Sequence, residues 1–211
     1  MITLQTLLEF GLVAFLLALV PGPDILFVLT QSITKGAKTG IILTLGLCLG
    51  VIVHTFAATL GASVIFQTSE IAFTILKVAG ALYLFYLAYQ AFIHRNDSLK
   101  IDKNSKNSSL SAKKLIIRGF FMNVLNPKVA LFFLALFPQF VNENSGGVAL
   151  QMIQLGAIFI VCTFLVFSSV AIFANKASNK LMQNKKISKI ANILTSFIFV
   201  AIGIKLAFSQ R

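Results

Sequence analysis

The run Val20-Pro21-Gly22-Pro23-Asp24-Ile25-Leu26-Phe27-Val28-Leu29 sets two prolines and an acid inside an apolar stretch. A second run, Leu125-Asn126-Pro127-Lys128-Val129-Ala130-Leu131-Phe132-Phe133-Leu134, does the same with one proline and a base. Proline removes a helical hydrogen bond and clashes with the preceding turn. An ionised side chain in hydrocarbon costs about 2.5 kcal/mol or more. Residues so costly, kept twice in apolar surroundings, point to a polar cargo handled inside a bilayer.

The surroundings of the two runs are those of a membrane protein. The chain is 57% hydrophobic and 11% charged, against about 25% charged in soluble domains, and its mean hydropathy is +0.90. No Asp, Glu, Lys or Arg occurs from 39 to 69 or from 144 to 175, and each gap exceeds the roughly 20 residues that cross a bilayer core. The net charge of +12 does not point to nucleic acid, because the basic residues gather in short gaps between apolar runs. Cys48 and Cys162 lie far apart in apolar runs, a spacing that supports neither a disulfide framework nor a metal site; packing is their expected role. The first basic residue is Lys35, and Glu9 lies near the start, so the first segment does not read as a cleaved signal peptide.

Apolar runs predict an all-α polytopic protein with six spans, roughly 4–33, 40–66, 71–94, 115–138, 148–174 and 190–208. The first, third and fifth gaps carry thirteen Lys and Arg residues, and the second and fourth carry only Glu70 and Glu143. That asymmetry places the odd gaps in the cytoplasm and both termini outside. Residues 95–114 form a basic connector rich in Lys, Asn and Ser, read as a solvated linker or as a dock for anionic membrane lipids. It separates two sets of three spans, 1–94 and 115–211. Three is odd, so the second set is expected to lie inverted relative to the first. Aligning Pro23 on Pro127 superposes Asp24 on Lys128, and proline-interrupted first helices in corresponding halves mark the central site of inverted-repeat transporters.

Pro23 and Pro127 suit the first turn of a helix. Each new helix would place a positive dipole end inside the membrane, where free N–H groups attract an anion. Asp24 suits such a position; Lys128 does not, and needs an anionic partner. Two candidates are Asp24 itself, in a permanent ion pair, and the carboxylate of a bound cargo. One acid, one base and two helix starts match a zwitterion, with its carboxylate at Lys128 and its ammonium at Asp24. Pro21, Gly22, Pro23 and Pro127 would shape that site. Asn123 and Asn126 are read first as partners for backbone groups freed by the break, and second as cargo contacts. His54, mid-span, is either a proton carrier or a hydrogen-bonded core histidine. Lys77 and Lys205 are expected to snorkel, and Glu9 to be interfacial. Gly46-Leu47-Cys48-Leu49-Gly50 is a GxxxG that permits close helix contact, within one chain or in a homo-oligomer. Tyr83 and Tyr86 stay undecided between interface, cavity and packing.

The chain resembles the lysine-exporter and homoserine-resistance (LysE/RhtB) family of bacterial amino-acid efflux proteins. The resemblance rests on Pro21-Gly22-Pro23-Asp24, Lys77 to Leu84, Met122 to Lys128, and Phe132-Phe133-Leu134-Ala135-Leu136-Phe137-Pro138-Gln139-Phe140. It implies a secondary exporter of the inner membrane that moves amino acids or close derivatives outward, using the proton motive force. An inward proton exchanged for cargo is then expected, with Asp24 or His54 as the candidate carriers. The family pattern accepts Asp or Asn at the position of Asp24 and matches Lys128 more firmly. It spans basic, hydrophobic, sulfur-containing and hydroxylated amino acids and homoserine lactones. Neither a catalytic residue nor a cofactor is implied.

Two other classes compare poorly. An intramembrane enzyme has no HExxH, no pair of intramembrane acids and no CxxC to work with. An exporter of another ion or metabolite remains an alternative, although one intramembrane Asp makes a poor cage for a hard cation. A non-transporting scaffold would need Asp24 and Lys128 only as a pair.

Overall fold

The computed structural model describes residues 2–68, 70–93, 95, 111–142, 147–176 and 185–208. Every element among them is helical. Helix α1 (Leu4–Leu19) ends before Pro21, and α2 (Pro23–Lys35) leaves it at 58°. Gly36, at φ +91°, a backbone angle that suits glycine, turns the chain into α3 (Ala37–Thr68), after which comes α4 (Glu70–Ile93). Helix α5 (Ala112–Val124) meets α6 (Pro127–Leu131) at a second break, where the continuing helical segment turns by 49°. Helices α7 (Val148–Lys176) and α8 (Lys185–Ala207) complete the chain.

Both breaks fall where the prolines place them. Pro23 and Pro127 each occupy the first turn of a new helix, where the missing N–H is not needed. The segment after Pro127 differs from a plain half-helix. Helix α6 lasts five residues, then opens into a π turn over Phe132–Leu136 and a 3-10 turn over Phe137–Phe140. The wider turn, closed by the Phe137 N–H on Phe132 O, lets Phe132, Phe133 and Phe137 all bury. They pack with Phe10, Phe140 and Phe159, with ring centroids 4.5 to 6.5 Å apart.

Helices α3 and α7 are each long and apolar enough to cross a membrane, over Ala37–Gly61 and Val148–Ala174. Two further crossings result if each bent pair is one span. Helices α4 and α8 carry shorter apolar stretches, Lys77–Ile93 and Asn192–Ile204, where the apolar runs predict full spans. The basic connector lies outside the described residues except for Arg95 and Ser111–Lys114.

Packing joins α3 to α5 and α7, α4 to α8, and α7 to both α1 and α2. At the α3–α5 contact the backbones touch: a Cβ on Gly46 would strike Ile116 O, and one on Gly119 would strike Leu43 O. The GxxxG therefore serves contact within the chain. Leu4, Leu60, Phe173 and Phe197 are largely exposed, whereas Asp24, Gln31, Asn123, Asn126, Lys128 and Thr163 are buried. Apolar outside and polar within is the arrangement a lipid solvent favours.

Candidate functional site

The site assembles where the α1–α2 break meets the α5–α6 break. Asn126 caps α6, its Oδ1 accepting the Lys128 N–H at 3.0 Å. This cap and Pro127 fix the direction in which Lys128 leaves the helix. Its side chain crosses to the other break, where Nζ donates to Leu17 O at 3.3 Å and Val20 O at 3.2 Å. Those carbonyls lie at the C-terminal end of α1, the negative end of its dipole. A lysine badly placed at the start of its own helix is thus well placed at the end of another. Main-chain carbonyls of the first break are a hydrogen-bond partner that the sequence did not suggest. An ammonium has three N–H donors; Leu17 O and Val20 O take two, and the third has no hydrogen-bond partner among the described residues.

Asp24 is held separately. Its Oδ2 accepts from Asn123 Nδ2 at 3.1 Å, while Oδ1 has no hydrogen-bond partner among the described residues. Lys128 donates to neither oxygen, although its charge and that of Asp24 attract each other across the short gap between the breaks. Asn123 is tied on a second side, its carbonyl meeting His54 Nε2 at 3.1 Å. Because a carbonyl only accepts, Nε2 is the donor in that contact. The ring also stacks on Phe133 with centroids 5.6 Å apart. His54 is thus buried and hydrogen-bonded against the end of α5. Of the two asparagines, Asn126 Oδ1 receives a backbone N–H freed by the break, and the side chains of both asparagines neighbour Asp24.

Two spaces flank Lys128. The larger, of about 290 Å³, is bordered by Pro21, Gly22 and Pro23 of one break and by Asn126, Pro127 and Lys128 of the other. Its far wall comes from α4 (Tyr83, Leu87, Gln90 and Ala91) and from α8 (Asn192 and Phe199). The smaller, of about 10 Å³, lies among Asp24, Asn123, Lys128 and Thr163, room for about one water. Thr163 Oγ1 is buried there without a partner among the described residues, like Asp24 Oδ1. Lys128 borders both spaces and Asp24 only the smaller. Gly22 keeps the approach to the ammonium open, since a Cβ there would lie 3.1 Å from Nζ.

Pro21, Gly22, Pro23, Asn126, Pro127 and Lys128 are thus brought together around one cavity, with Asn123 and Asp24 behind it and His54 one contact further away. Sequence reasoning missed Gln90, Asn192 and Thr163. The available signal was a polar residue within an apolar helix, a weak one because such residues are often satisfied locally, as Gln90 Nε2 is by Tyr86 Oη at 2.8 Å. Tyr83, undecided from sequence, lines the cavity. Cys48 and Cys162 are free thiols whose Sγ atoms approach Ile160 O and Gly11 O at 3.8 and 3.7 Å, as packing residues do.

The model of the LysE type translocator family matches residues 15–210. The chain is 33% identical to YrhP of Bacillus subtilis (strain 168), an uncharacterised membrane protein, over 98% of this chain and all of that one. It is 29% identical to a leucine efflux protein of Enterobacter sp. (strain 638), over 92% of this chain and 91% of the relative. A leucine efflux protein of Klebsiella pneumoniae is 28% identical over 96% of this chain and 98% of its own length. No solved structure matches.

Proposed function

This chain belongs to the LysE type translocator family, and we propose that it exports amino acids with leucine-like side chains across the bacterial inner membrane, in exchange for protons. The observation that carries the proposal is the third donor of Lys128, set at the edge of a 290 Å³ cavity between two broken helices. The cargo's carboxylate docks on that donor, beside the uncapped first turn of α2. Pro21, Gly22 and Pro23 shape the rim, and Asn126 and Pro127 aim the lysine. The leucine efflux relatives support the cargo class.

Each bent pair counts as one span in this reading, and α4 and α8 as the third and sixth. An inverted repeat is supported by part of the packing: the first span meets the fifth as the fourth meets the second, whereas the contact of α2 with α3 and that of α4 with the π turn have no equally strong counterpart. By the positive-inside rule, both termini face outward. The phenylalanine cluster then closes the outer side, and Gln90 and Asn192 lie on the cytoplasmic side of the cavity. This is the loading state of an exporter, and rocking one repeat against the other would release cargo outward. Asp24, whose Oδ1 has no hydrogen-bond partner among the described residues, carries the exchanged proton. His54 is the weaker candidate because its Nε2 is engaged by Asn123 O.

Cells expressing the protein and fed a leucine-containing dipeptide should release more leucine to the medium than cells without it. A protonophore should suppress that release. Equal release by both strains would contradict export of leucine. Release indifferent to the protonophore would contradict proton exchange alone.

A further inference from the structure

We infer that Gln90 on α4 and Asn192 on α8 are the specificity-determining residues of the cavity, and that they exclude amino acids with basic side chains. The inference rests on the proposed export of amino acids and concerns the end of the cavity opposite Lys128.

Tyr83, Leu87 and Gln90 fall at intervals of four and three on α4, so they share one helical face. Asn192 and Phe199, seven residues apart, share a face of α8, and α4 and α8 pack together. Both faces border the cavity. A cargo anchored by its carboxylate at Lys128 must therefore project its side chain toward the α4–α8 wall. That wall offers aliphatic and aromatic surface and two neutral amides.

Among the described residues, Lys128 is the one charged group bordering the cavity, and Asp24 does not border it. A cargo with a neutral side chain adds no net charge. A lysine or arginine cargo would bring a second cation into a space that already holds one, with no carboxylate to receive it. A desolvated charge without a counter-charge is strongly disfavoured. The amides at 90 and 192 are where one change of atom would supply the missing partner: Gln90→Glu and Asn192→Asp keep shape and exchange an amide nitrogen for a charged oxygen.

The test is exchange of labelled leucine and labelled lysine by reconstituted wild type, Gln90→Glu and Asn192→Asp. Leucine exchange by the wild type tests the export reading; the lysine-to-leucine ratio tests this assignment. At least one variant should raise that ratio by roughly ten-fold, the effect of one charge-assisted hydrogen bond. An unchanged ratio in both variants, with leucine exchange retained, would overturn the assignment. So would leucine and lysine rising together, which would mean that the amides meet the backbone ammonium common to all amino acids. If neither variant folds, wild type decides: norleucine should inhibit leucine exchange and lysine, similar in length but charged, should not. Equal inhibition would overturn the assignment.

Discussion

Lys128 is where sequence and structure differ most usefully. The sequence shows that its charge needs a partner, and Asp24 is the only acid in a comparable run. The carbonyls that receive it belong to α1, and a bond to a distant main-chain atom has no sequence signature. Gly22→Ala should leave the fold intact, since Gly22 has extended backbone, but the new Cβ at 3.1 Å would crowd the ammonium. Its effect should appear as a several-fold rise in the KM for cargo, with kcat changed less, in transport kinetics. Asp24→Asn tests a different function. An asparagine can still accept from Asn123 but no longer carries a proton, so cargo exchange should persist while accumulation driven by a pH gradient is lost. Gradient-driven accumulation retained by this variant would remove Asp24 from the coupling step.

The breaks at Pro23 and Pro127 were legible because proline chemistry is local, and so were the helix starts they impose. The π turn over Phe132–Leu136 was not. It arises from packing three phenylalanines against Phe10 and Phe159, residues more than a hundred positions away or on another helix, and the run FFLAL looks like any apolar helix. The GxxxG on α3 gave a weak signal that the structure makes definite, through backbone contact with Gly119 on α5. Gly46→Val should therefore be among the most damaging changes outside the site. Backbone, not a pliable side chain, meets the new atoms, and overpacking of this kind costs about 1–3 kcal/mol or more. A lower melting temperature in detergent and reduced yield of the monodisperse protein would show it. A variant as stable as the wild type would mean that α3 and α5 stand further apart.

At the scale of the molecule, membrane residence and the two bent pairs follow from the sequence, while the cavity between the breaks and the α4–α8 wall does not. A cavity depends on which helix faces meet, and α4 and α8, with their weak apolar periodicity, do not declare theirs. Orientation can be measured directly. A cysteine at Ser145 should react in intact cells with a membrane-impermeant maleimide, and one at Ser105 only after lysis; the opposite pattern would invert the proposed topology. The central claim is that the Lys128 ammonium, held between two broken helices, receives the carboxylate of an exported amino acid. Counterflow of labelled leucine into liposomes carrying wild type or Lys128→Gln tests it most directly. Saturable exchange by the wild type and none by the folded variant is the predicted result. Undiminished exchange by Lys128→Gln would contradict it.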